Sequence, residues 1–327
     1  MPDIVEGSIF DYESYNEQAP FNSPLGRFAA LVKLPDAEID LAEGALIIAG
    51  QEYVGLNESF YLDRLDDLAD EIRPVISAEI DPLKNIQHLN HFLSDQKGFR
   101  GNEAQYYDRR NSFLNDVLDR KTGIPISLSL LYIELGKRLG LHFEGIGLPG
   151  HFIIRYRHLA PQRLGRSESF NSGSDSFEWQ TESSDSSGEQ GRDILLDPFH
   201  GGALLSEEDC ADLIKQRYGQ NFELDSVLLQ GVSNRQFLSR ILTNLKGSCI
   251  NDEDFDRALQ YQEYLQILNP NSIDEVRSRA ALYLQTGRYG RAIAGFQAYL
   301  RKNPDAPDID SVRKELSFAY NQMVRRN

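Results

Sequence analysis

The chain has 327 residues, is 40% hydrophobic and 26% charged, and carries a formal net charge of −16. That length allows two modest domains with cores of their own, and the composition is that of a globular protein. The charge works against nucleic acid and anionic membranes as partners and favours proteins with basic segments.

No apolar run approaches the roughly 18 residues that cross a bilayer. The start, Met1-Pro2-Asp3-Ile4-Val5-Glu6, lacks the basic-then-apolar order of a leader. A cytoplasmic protein is expected. Its two cysteines, Cys210 and Cys249, cannot make a zinc site on their own and are expected to be free and buried.

Residues 1 to 22 read as an acidic arm, and helical patterning starts at Pro24, so 1–54 is taken as arm and helices. Tyr61, Leu65, Leu68 and Ile72 recur at helical spacing, with Pro74 near the end of that helix. A helix is predicted from Pro82 to Gln96, with Leu83, Ile86, Leu89, Phe92 and Leu93 on one face, and another over Ser112–Asp119. The run Pro125–Leu139 is apolar nearly all round and predicts a buried helix, with Pro125 in its first turn and Gly140 ending it.

The period then changes to two, predicting strands at Phe143–Gly147, Phe152–Tyr156 and Ile194–Asp197. Residues 160–193 hold nine serines and almost no aliphatic residue, which predicts disorder. Trp179, the one Trp, falls there as a loop aromatic or an exposed anchor. Ser206 with Asp209 reads as a helix N-cap and its third-position partner, which makes Cys210 a first-turn residue.

From 231 onwards the chain repeats. Ala258 and Ala292 stand 34 apart, as do Pro270 and Pro304, and Tyr283, Gly287, Tyr289, Phe296 and Tyr299 fall at tetratricopeptide offsets. In the earlier repeat Cys249 replaces a Tyr, and Lys246 stands where a small residue is usual. Residues 309–324 read as a capping helix. Two repeats are too few for a free-standing solenoid, so the array is expected to dock on the preceding domain.

Several motifs now combine: Gly98-Phe99-Arg100-Gly101-Asn102, Tyr106-Tyr107-Asp108, Asn111-Ser112-Phe113-Leu114, Gly123-Ile124-Pro125-Ile126-Ser127, Pro149-Gly150-His151-Phe152 and Asp197-Pro198-Phe199-His200-Gly201-Gly202. With the repeats, they resemble the SirB family of transglutaminase-like proteins over roughly residues 55–306. The resemblance implies an α+β fold: a helical N-terminal region on a transglutaminase-like, papain-like core over 55–230, then an all-α repeat region over 231–327. It also implies the places of a Cys-His-Asp triad. The His maps to His151 and the Asp to Asp197, while the Cys position holds Pro125, which carries no nucleophile.

The His151–Asp197 pair then has three uses: to hold strands and helix end in register, to line a ligand pocket, or to activate water or a hydroxyl. Ser127 is the nearest hydroxyl in sequence. Two positions along a helix is about 200° of rotation, so it is expected to face elsewhere and bond backbone. Cys210 is expected on an apolar face. Arg100, Asn102, Tyr107, Asp108 and Asn111 either line the cleft with His151 and His200 or stitch their own loop together. His88 and His91 share a helix face without a third ligand at suitable spacing. The expected function is a non-catalytic binding or scaffold protein with a protein or peptide partner, no cofactor and no metal. The alternative is a hydrolase or transferase with an altered centre.

Overall fold

The computed structural model describes residues 22–77, 81–157, 193–219 and 224–326. The predicted arm (but for Asn22), the Ser-rich stretch (but for Asp193) and Trp179 lie outside them.

Helix α1 (Pro24–Leu31) opens on Ser23, whose Oγ accepts the Gly26 N–H, with Pro24 at the first helical position. Asp40 caps α2 (Leu41–Ala49) by accepting the Glu43 N–H at 2.9 Å. All of α2 except Glu43 is buried. Helix α3 (Glu58–Ile72) buries Leu65, Ala69 and Ile72, one stripe at helical spacing.

The helix predicted over Pro82–Gln96 divides. Its first part is α4 (Pro82–Asn90), and His91–Gln96 continues as a π-helical turn, with the Lys97 N–H bonding the Phe92 carbonyl. The Ser94 hydroxyl bonds the Asn90 carbonyl there and competes with the regular ladder. A short strand β1 (Arg100–Gly101) follows. Helix α5 (Leu114–Arg120) begins later than predicted because Asn111 ends a 3-10 turn and Phe113 is extended, at φ −88° and ψ 126°.

Strand β2 (Thr122–Gly123) pairs in parallel with β1. Helix α6 (Pro125–Leu139) enters with Pro125 at its first position and ends at Gly140, at φ 75°, as its composition predicts. The sheet is an antiparallel meander of β3 (Phe143–Ile146), β4 (Ile153–Tyr156), β5 (Ile194–Asp197) and an unpredicted edge strand β6 (Ala203–Leu205). Helix α6 packs on β3 and β4. Helix α7 (Glu207–Tyr218) carries the predicted reciprocal cap between Ser206 and Asp209.

Five helices complete the chain: α8 (Asn234–Asn251), α9 (Phe255–Leu268), α10 (Ile273–Gln285), α11 (Tyr289–Lys302) and α12 (Ile309–Arg326). The signature residues Ala258, Tyr283, Ala292, Phe296 and Tyr299 are buried between them. Gly287 is left-handed, at φ 69°, in the turn before Tyr289, and Pro270 and Pro304 follow the ends of α9 and α11.

The array docks on the N-terminal helices. A Cβ at Gly44 would lie 2.9 Å from Leu238 Cδ1, so glycine lets α8 close on α2. Phe28 meets Tyr264 edge-on at 5.0 Å. The Asp36 carboxylate accepts the N–H groups of Asn234 and Arg235 at the start of α8. One apolar core runs from Phe28 to Ala319. No helix among the described residues is long and apolar enough to cross a membrane.

Candidate functional site

The end of β5 and the start of β4 bring the site together. Gly150, left-handed at φ 71°, turns the chain after β3, and the His151 N–H bonds the Leu148 carbonyl. Phe152 then anchors the strand by packing edge-on against Phe237. His151 is left with its imidazole over the sheet end and only 15% of the side chain exposed.

Asp197 ends β5 and caps the 3-10 turn Pro198–His200, its Oδ1 accepting the Phe199 N–H at 3.0 Å. Its Oδ2 lies 2.8 Å from His151 Nε2 and 2.7 Å from His200 Nδ1. Burial pushes the Asp197 carboxyl up, but the bonds to His151 and His200 outweigh it and hold the group below the ordinary 3.8. Phe199 stands edge-on to both imidazoles.

Sequence spacing suggested no metal set. The structure nevertheless places one ligand atom each of His151, Asp197 and His200 within 4.8 Å of one another. His88 and His91 part company: His88 Nδ1 meets the Val75 carbonyl, and His91 Nδ1 meets Asp95.

Ser127 is fully buried. Its hydroxyl accepts the Ile124 N–H at 3.0 Å and reaches the Asn111 carbonyl at 2.5 Å. It bonds backbone at the start of α6. Cys210 is buried among Ile146, Leu148, Ile153 and Ile214, and burial pushes its thiol up to about 11, with Asp209, Glu207 and Asp197 adding to the effect. A first-turn position does not activate a thiol so enclosed. Burial also raises the Cys249 thiol, against the Arg109 guanidinium beside it.

The other candidates stitch a frame. Asn102 Nδ2 donates to Asn111 Oδ1, and Asn111 Nδ2 donates to the Gln105 carbonyl. Asp108 pairs with Arg110 and Arg120, and the Arg110 bonds overcome its burial to lower its pKa. Arg100 is exposed on β1, and Tyr107, 62% exposed, meets Tyr106 edge-on. This frame touches the site through Tyr106 and Gly101, both against Phe199.

Two further residues carry no sequence signal. Asn90 Nδ2 donates to the Gly202 carbonyl at 2.7 Å and ties down the turn after His200. Tyr132 on α6 is buried with its hydroxyl unpartnered; burial and the charges of Asp197 and Asp95 raise its pKa.

The profile of the transglutaminase-like superfamily matches residues 59–243, and that of a tetratricopeptide repeat matches 245–317. A UPF0162 protein of Xylella fastidiosa is 29% identical over 90% of this chain and 95% of its own. Protein SirB1 of Salmonella typhimurium is 21% identical over 87% of this chain and 94% of its own. Human F-box only protein 21 is 27% identical over 85% of this chain but 39% of its own. No solved structure matches. With over half its length matched and the repeats following in order, the chain belongs to the transglutaminase-like superfamily, as a SirB-type protein with C-terminal tetratricopeptide repeats.

Proposed function

We propose that this is a non-catalytic, cytoplasmic protein-binding protein in which a transglutaminase-like core and a repeat array act together as a scaffold. The observation that carries the reading is that His151 has no nucleophile among the described residues. Pro125 starts α6, the Ser127 hydroxyl is spent on backbone, and the Cys210 thiol is buried in a separate cluster with its pKa raised. A displacement mechanism needs an activated nucleophile in reach of its base. Tetratricopeptide helices are a surface for proteins, and the charge of −16 suits partners with basic segments over nucleic acid or anionic lipid.

The test pairs the wild-type chain with His151→Ala, each immobilised and exposed to cell extract and to a panel of ester and amide substrates. The expected result is capture of the same proteins by both, weakened by salt, with no turnover by either. Wild-type turnover that His151→Ala abolishes would return the hydrolase or transferase reading, with His151 and Asp197 activating water.

A further inference from the structure

The geometry points to a binding site for one divalent transition-metal ion of the zinc type, held by Nε2 of His151, Oδ2 of Asp197 and Nδ1 of His200. It does not depend on the scaffold reading.

The donor set sets the class of ion. Two imidazoles and one carboxylate suit zinc or cobalt, whereas calcium and magnesium take oxygen ligands. The spacing fits. Zinc bonds of about 2.0–2.1 Å in a tetrahedron separate ligand atoms by about 3.3 Å. The two nitrogens stand at 2.8 and 2.7 Å from the shared oxygen, so each contact opens by roughly half an ångström as the ion replaces the proton between them. Asp197 is almost fully buried and His200 is half-exposed, which supplies an enclosed carboxylate and a route for entry. Three protein ligands leave a fourth position for water or for a partner's side chain.

The surroundings hold these ligands before any ion arrives. The Phe199 N–H fixes the other Asp197 oxygen. Gly201 and Gly202, at φ 68° and 76°, return the chain so that the Gly202 N–H bonds the Asp197 carbonyl. Asn90 clamps Gly202 from α4, and a Cβ at Gly202 would lie 2.1 Å from Asn90 Oδ1. Outer contacts of this kind orient ligands in metal sites.

The test uses the full chain, stripped with chelator and dialysed. Cobalt is titrated in with the visible spectrum as readout, and zinc by calorimetry. One equivalent should bind, with cobalt d–d bands. His200→Ala should weaken binding by about tenfold or more, and its thermal transition in chelator should match the wild type, since the side chain is half-exposed. The double variant His88→Ala, His91→Ala should bind like the wild type. Absence of binding, or binding unchanged in His200→Ala, or binding lost in the His88 and His91 variant, overturns the site and leaves a hydrogen-bonded cluster only.

Discussion

His200 Nδ1 stands 2.7 Å from the Asp197 oxygen that His151 Nε2 also meets, so one carboxylate atom serves two imidazoles from two segments of the chain. With Phe199 N–H on its other oxygen, Asp197 fixes the strand end, the turn and His151 at once. Asp197→Ala is therefore expected to cost about 3 kcal/mol or more. His200→Ala, at the exposed arm, should cost less than about 1 kcal/mol. Urea unfolding of the two variants gives the comparison, and equal costs would refute the ordering.

Pro125→Cys tests the correspondence between Pro125 and a superfamily nucleophile. Pro125 is buried, so the helix start alone would not activate a thiol there, as with Cys210; the activation expected comes from pairing with His151, as a superfamily Cys pairs with its His. The new thiol's reaction with iodoacetamide is expected to follow a pKa below the ordinary ~8.5 of a free thiol. The His151→Ala background should move that pKa back up. A thiol that titrates at or above the ordinary value would show that Pro125 is not the counterpart.

Lys246 provides the pH prediction. Its ammonium is mostly buried and donates to Gln262 Oε1 at 2.8 Å and Ser278 Oγ at 3.0 Å. Burial lowers its pKa from the ordinary 10.5, against the pull of Glu275. The unfolded chain then binds more protons than the folded chain between the depressed value and 10.5, so stability rises with pH across that window. Lys246→Met should remove this rise. At neutral pH it should be neutral or stabilising by about 1 kcal/mol, because Ser278 keeps its bond to Gln262. Unfolding free energies of both proteins at several alkaline pH values check the sign.

Gly101→Ala should disturb the site from outside it. The new Cβ would lie 2.6 Å from the Phe199 ring and 2.7 Å from the Phe199 carbonyl, inside any allowed contact. Overpacking of this kind costs about 1–3 kcal/mol. The His200 resonances should shift with it in an NMR spectrum. A stable variant with unshifted His200 would mean the turn yields freely.

Much of this was legible in the sequence wherever one element carried its own period. The 34-residue spacing of Ala258 and Ala292 marks the repeats, and the change to period two marks β3, β4 and β5. His151, Asp197 and His200 stand in motifs, so they could be named, but only the fold puts both nitrogens on one oxygen. The polar frame of Asn102, Asp108 and Asn111 offered two readings, because composition does not tell a loop bonded to itself from a lined cleft. Asn90 and Tyr132 gave no signal, since their roles depend on contacts between distant segments. The π-helical turn at His91–Gln96 was hidden because its apolar spacing still fits an ordinary helix.

The notch at Gly44 has a consequence for synthesis. Helix α2 is apolar on almost every side, and the face around Gly44 is covered by Leu238 of α8, made some 190 residues later. At ribosomal speeds of about 5–20 residues per second, that face waits roughly 10–40 seconds for its cover. Until the first repeat helix is made, only Leu31 of α1 stands against that face, and the rest of the notch stays open to solvent.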